Sequence, residues 1–213
     1  MRVSFCITCW YGDVHLLDGL LLSLEEQTKA PHEVIVSSSG LQNVDLPEEL
    51  EISGKSVPVI GINSKERLIQ SVARNRAAEK ASGDIVIFFD VDDIPHPQKI
   101  EITQSILSNE DVDALVHSYL HDEPVFEPIS TQSTDFHAIE RITEKNPTCT
   151  NLKAPTGGRI HHAHVAVKKG FLETIRFNES PEYYRVEDGK FCQDLLDAGV
   201  NIYYLNQPLV YYT

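Results

Sequence analysis

Residues 84–93 read DIVIFFDVDD: five consecutive β-branched or aromatic residues, followed by Asp90, Val91, Asp92 and Asp93. An apolar run without polar alternation fits a strand covered on both faces, as at the centre of a parallel sheet. The acids then fall where that strand ends. Open parallel sheets bind ligands outside the carboxyl ends of their strands. If the strand continues through them, Asp90 and Asp92 share a face. Two neighbouring carboxylates repel, and a divalent cation relieves that repulsion. Mg²⁺ and Mn²⁺ prefer oxygen ligands and complete their shell with substrate phosphates. A polar strand-to-loop transition that caps the next helix would use the same residues.

The surrounding pattern supports a sheet. VSFCITC (3–9), HEVIVSS (32–38) and VPVIGI (57–62) read as further strands, and residues 41–57 read as a polar, acidic surface loop. Asp13 is expected to cap a helix that runs through Lys29, with Leu16, Leu17, Leu20, Leu21 and Leu24 on one face. Asn63 and Glu66 form a capping box that opens a second helix, closed by Gly83. A helix after Pro97, the strand VDALVHSYL (112–120), the strand RIHHAHVAV (159–167), helices near 168–175 and 187–198, and a final strand NIYYLNQPLVYY complete the chain. Strand–helix alternation predicts one α/β domain over 1–213, a mostly parallel mixed sheet flanked by helices. Residues 121–158 lose periodicity and read as loop-rich.

Composition narrows the function. The 213 residues are 41% hydrophobic, with Lys+Arg 18 against Asp+Glu 32 and a net charge of −14, which argues against a nucleic-acid backbone as partner. No segment approaches the roughly 20 apolar residues of a membrane span, and the N-terminus lacks a signal-peptide pattern, so a cytoplasmic setting is expected. Cys6 and Cys9 have C-x-x-C spacing, but on a strand residues three apart face opposite sides. A redox pair would sit at a helix N-terminus, and a zinc site would need two more ligands; buried packing accounts for both cysteines.

Three blocks in order, VSFCITCWYGDVHLLDGLLLSLEEQTKAPHEVIV, SVARNRAAEKASGDIVIFFDVDDIPHPQKIE and VEDGKFCQDLLDAG, resemble family 2-type glycosyltransferases with the GT-A fold. The resemblance covers most of the chain outside 121–158. It implies a nucleotide diphosphate sugar donor bound over 1–110 and a glycan or small-molecule acceptor over 111–213. It also implies Mn²⁺ or Mg²⁺ on Asp92, with Asp90 at the ribose or metal shell and Val91 between them at the donor. By the same resemblance Arg74 lies near base and phosphates, while Thr8 and Trp10 hold end-of-strand positions where an aromatic ring packs on the base. An ion pair of Arg74 with Glu79 or Asp84, and Trp10 as a core anchor, are the plainer alternatives. The family's V-D-D-G-S is replaced by Ser37-Ser38-Ser39-Gly40, so Ser38 or Ser39 stands where an Asp meets uracil, and a UDP-sugar preference is correspondingly weaker.

Glu187 and Asp188 open a helix, where acids also suit the dipole. By resemblance Asp188 is the general base and Glu187 its support, an arrangement suited to inverting transfer. His162 and His164 are expected to share a strand face and could add metal ligands. Phe126, Phe136 and the hydroxyl residues of 121–158 are candidates for acceptor recognition. The chain could be one domain of a longer glycosyltransferase. A haloacid-dehalogenase-type phosphatase also uses D-x-D, but after its first core strand. A sugar nucleotidyltransferase would carry a Gly-rich basic loop after its first strand, which CWYGDVH lacks. A non-catalytic nucleotide-sugar-binding domain would keep Asp92 and tolerate loss of Asp188.

Overall fold

The computed structural model describes residues 1–130, 139–155 and 157–213; Phe136 lies outside them. In chain order the strands are β1 (Val3–Trp10), β2 (Glu33–Ser39), β3 (Glu49–Ile52), β4 (Lys55–Ile62), β5 (Ile85–Asp90), β6 (Ile94–Pro95), β7 (Ala114–Leu120), β8 (Ile139–Arg141), β9 (His161–Lys168) and β10 (Ile202–Tyr211). The helices are α1 (Leu17–Glu25), α2 (Gln70–Lys80), α3 (Lys99–Leu107) and α4 (Glu187–Asp197). One ten-stranded sheet runs β3-β4-β2-β1-β5-β9-β7-β10-β6, with β8 on β10. Pairing is parallel from β4 through β2 and β1 to β5, and β5 turns antiparallel against β9. β5 is central, and its five apolar side chains are fully buried.

The sheet separates two cores. Phe5, Ile7, Cys9 and Phe89 pack with Leu17, Leu20, Leu21 and Leu24 of α1 and the isoleucines of α3. Cys6, Ile35, Val86 and Phe88 pack with Ala77 and Ala78 of α2 and Phe191, Cys192 and Leu195 of α4. Cys6 and Cys9 therefore sit on opposite faces as buried free thiols. Burial pushes the Cys9 thiol up to about 11 and Cys6 further, so both are held as inert thiols.

Several local expectations yield to tertiary contacts. Asp13 caps nothing with its side chain; a 3-10 turn, Val14–Leu16, precedes α1, which ends at Glu25 rather than Lys29. Beyond it, Thr28 N–H donates to Pro97 O (2.9 Å) and the Gln27 side chain donates to His96 O (2.8 Å), so the chain bonds to the turn before α3 instead of continuing the helix. The Asn63–Glu66 capping box does not form, because Asn63 Oδ1 accepts the Ser38 hydroxyl at 2.8 Å. Gly40 N–H and Leu41 N–H bond to Glu66 O and Ser64 O, and α2 starts only at Gln70. Residues 41–57 contain β3, an edge strand antiparallel to β4. The helix near 168–175 is a 3-10 segment, Lys169–Glu173. α2 ends at Lys80; Gly83 instead lets the chain pass β1, where a Cβ would lie 2.7 Å from Ser4 Oγ. Among the described residues no helix is long and apolar enough to cross a membrane.

Candidate active site

A cavity of about 1040 Å³ opens at the carboxyl ends of β1, β2 and β5, between α2 and the start of α4. That size suits a nucleotide-bearing ligand. One wall is Arg67, Leu68, Ile69 and Gln70, at the end of the segment that the hydrogen bonds above pull out of helical geometry. Leu68 N–H reaches Ser39 Oγ at 2.6 Å, and Ser39 Oγ donates back to Leu68 O at 3.0 Å. Ser39 lines the cavity, while Ser38 is fully buried behind it. Both hydroxyls thus hold the wall together. Trp10 is 43% exposed at the mouth, its ring 4.3 Å from that of Tyr11, so it is no core anchor.

The floor is a charged bridge. Arg74, 2% exposed, donates to both oxygens of Asp90 (2.8 and 2.9 Å) and to Glu187 Oε1 (2.7 Å). Thr8 Oγ1 donates to Asp90 Oδ1 at 2.8 Å. Burial works against the guanidinium charge, but Asp90, Asp188 and Glu187 outweigh it and keep Arg74 protonated. Arg74 thus pairs with neither alternative partner: Glu79 binds Arg176, and the Asp84 carboxylate accepts the backbone N–H of Arg2. With three hydrogen bonds to the Asp90 carboxylate, from Arg74 Nη2 and Thr8 Oγ1, only about one of a carboxylate's four lone-pair sites is free. Val91, buried, lies between Asp90 and Asp92 on the cavity wall.

Asp92 differs. It is exposed to the cavity and makes no ion pair among the described residues. Burial of its surroundings and the nearby Asp90 hold its carboxyl above the ordinary value. A free carboxylate beside a second, partly free one is an oxygen donor set that fits Mg²⁺ or Mn²⁺ with phosphate oxygens completing the shell. Opposite it, Asp188 lines the same cavity; burial raises its carboxyl, partly offset by Arg74. At Gly189 a side chain would run into Thr150 O, so the first turn of α4 lies directly on the 150–151 segment. Arg185, just ahead, has φ 71, a strained value for a side chain-bearing residue. Sequence pattern gave no sign of it.

The histidines depart from simple alternation. Between the pairs Leu115↔Ala166 and His117↔His161, β7 advances two residues and β9 five, so β9 carries a bulge. His162 consequently turns away from His164, and a ring nitrogen accepts Leu152 N–H at 2.9 Å. His161 takes its place beside His164, and both face Asp93. Beneath them Lys99 Nζ lies 2.5 Å from His117 Nε2, and burial pushes that amine down to about 7. Phe126 stacks edge-on against His96, 4.8 Å between centroids, and is not among the cavity residues.

A family model for glycosyl transferase family 2 matches residues 4–175. No similar sequence is found among curated proteins. Among solved structures, S. aureus TarS 1-349 in complex with UDP is 19% identical with a TM-score of 0.66, covering 100% of this chain and 60% of that one. Its complex with UDP-GlcNAc is 18% identical, TM-score 0.66, covering 100% and 58%. The mannosyltransferase PcManGT from Pyrobaculum calidifontis, in complex with GDP-Man and Mn²⁺, is 18% identical with a TM-score of 0.63, covering 97% and 55%. The chain thus spans somewhat over half the length of these relatives. With the family match covering most of its residues and the sheet of these enzymes reproduced, the chain belongs to glycosyl transferase family 2, with the GT-A fold.

Proposed function

We propose that this glycosyltransferase moves a sugar from a nucleotide diphosphate sugar, UDP-sugar favoured, to a hydroxyl of a glycan or small acceptor, with inversion. The observation that carries the reading is the Asp90–Arg74–Glu187 bridge, which fixes the end of β5 and the start of α4 on one cavity. Asp92 on one side and Asp188 on the other then face a single substrate space. Solved structures of relatives with UDP, UDP-GlcNAc and GDP-Man support a nucleotide sugar as donor.

In this reading Thr8, Trp10, Ser39, Val91 and the 1–110 half hold the nucleotide, and the 111–213 half holds the acceptor. Asp92, with the remaining lone pair of Asp90, would hold Mn²⁺ or Mg²⁺. That ion supplies Lewis-acid stabilisation of the departing diphosphate. Arg74 is a positioning residue: its two Nη atoms bond Asp90 and Glu187 and keep both carboxylates in place. Asp188 removes the proton of the attacking hydroxyl, and its raised pKa makes it a better base than an exposed carboxylate. Ser39 offers the base no carboxylate, so the wall at Leu68–Gln70 contributes to reading it.

The test is a panel of UDP-, GDP- and TDP-sugars with Mn²⁺, followed by nucleoside diphosphate release. Release with one donor, lost in Asp188→Asn while that donor still binds, is the expected result. Unchanged turnover in Asp188→Asn removes the base assignment.

A further inference from the structure

One buried cluster has no part in the proposed transfer. Asp93, His161 and His164 bring three ligand-type atoms within 4.8 Å of one another, where the bulge of β9 meets the end of β5. Their exposures are 2%, 8% and 0%. Asp93 Oδ2 lies 3.1 Å from His164 Nε2 and 3.5 Å from His161 Nε2.

Hydrogen bonding accounts for only part of this arrangement. Asp93 Oδ2, the atom that faces the two Nε2 atoms, is buried with no hydrogen-bond partner. His164 Nε2 already accepts the Asp90 backbone N–H, at a long 3.2 Å, so in that tautomer it has no proton for Asp93. An ionised Asp93 then faces an imidazole lone pair in a dry site, a pairing relieved either by a proton on Asp93, whose carboxyl burial pushes up to about 8, or by a bound cation. Unsatisfied buried groups of this kind commonly mark an ion or water. Around Zn²⁺ with bonds of about 2.0–2.1 Å, tetrahedral ligand atoms stand about 3.3 Å apart. The two separations from Asp93 fall either side of that value.

We propose that Asp93, His161 and His164 form a second divalent-cation site, of the nitrogen-and-oxygen type taken by Zn²⁺ and Co²⁺, separate from the oxygen site at Asp92. Adjacent residues serve the two sites: Asp92 opens to the cavity, whereas Asp93 turns inward to β9. Binding exchanges the long Asp90 N–H contact for a metal bond. His161 also lines the cavity, so the ion would lie beside it. The ion would tie the end of β5 to β9. Through the bond from Thr213 N–H to Asp93 Oδ1 (3.1 Å), it would also hold the segment after β10.

The test is Co²⁺ titration of chelator-stripped protein without nucleotide, read by visible absorption and competed with Zn²⁺. The expected result is one Co²⁺ per chain with the intense band of a four- or five-coordinate site, displaced by Zn²⁺. That band should be lost in His161→Gln and His164→Gln and kept in Asp92→Ala and His162→Gln. Circular dichroism checks each variant; if His164→Gln does not fold, His161→Gln and the wild-type spectrum decide. A wild-type spectrum no different from aqueous Co²⁺ overturns the proposal, as does a band that survives His161→Gln or disappears in Asp92→Ala. Mn²⁺-dependent nucleotide binding, measured on the same samples, reports separately on the donor site.

Discussion

The two sides of the cavity floor handle buried charge in opposite ways. On one side Asp90, Thr8, Arg74 and Glu187 close on one another, with carboxylates and guanidinium matched at 2.7–2.9 Å. On the other, the only ion-pair partners of Asp93 among the described residues are the rings of His161 and His164, and its Oδ2 has no hydrogen bond. The first side carries its own countercharges, with only Arg74 Nε and Glu187 Oε2 left without a partner, so its contacts should appear in stability. In the second, the proposed cation completes the cluster, so its contacts should appear in binding. Strand regularity follows the same division. β5 and β1 pair in unbroken parallel register, whereas β9 bulges against β7.

The largest effect should separate chemistry from scaffold. Asp188→Asn is expected to reduce transfer by about 10²–10⁴-fold, the usual contribution of a general base, with an unchanged melting temperature. Arg74→Met comes next. It leaves Asp90 and Glu187 without their shared cation, and urea unfolding should show a loss of about 3–5 kcal/mol. His161→Gln in metal-free protein should lose much less; equal losses would erase the contrast between the two sides.

Glu33 extends the comparison to a site far from the cavity. Burial alone would raise its carboxyl, but hydrogen bonds from Ser4 Oγ (2.6 Å) and from Ser82 N–H and Oγ (2.6 and 3.0 Å) outweigh it and lower the pKa below 4.5. A depressed carboxyl stabilises the fold above its unfolded pKa, and that stability is lost as pH falls through the folded one. Glu33→Gln should therefore cost about 1–3 kcal/mol at pH 7. The gap from wild type should close as the pH drops below about 4. A gap independent of pH would mean that the carboxylate charge contributes nothing there. The smallest expected effect concerns the thiols: in native protein only the exposed Cys149 should react rapidly with a thiol reagent.

These contrasts also explain what the sequence could reveal. DIVIFFDVDD, the Arg74 helix and the Glu187-Asp188 pair were legible because each lies within a short run whose pattern is local. The helix start at Asn63 was not, since Ser38, 25 residues upstream, takes its side chain. His161 rather than His162 joins His164 because of a bulge defined by β7. β3 is short and half-exposed, with apolar residues only at Leu50 and Ile52, and depends on β4 to exist as a strand.

The central claim is that Asp92 holds a metal ion against the donor diphosphate. Calorimetric titration with UDP and GDP, each with Mn²⁺ and with chelator, on wild type and Asp92→Ala, tests it most directly. The account predicts binding of at least one nucleotide that requires Mn²⁺ and is lost in Asp92→Ala. Binding of equal strength with chelator present, or in Asp92→Ala, would contradict it.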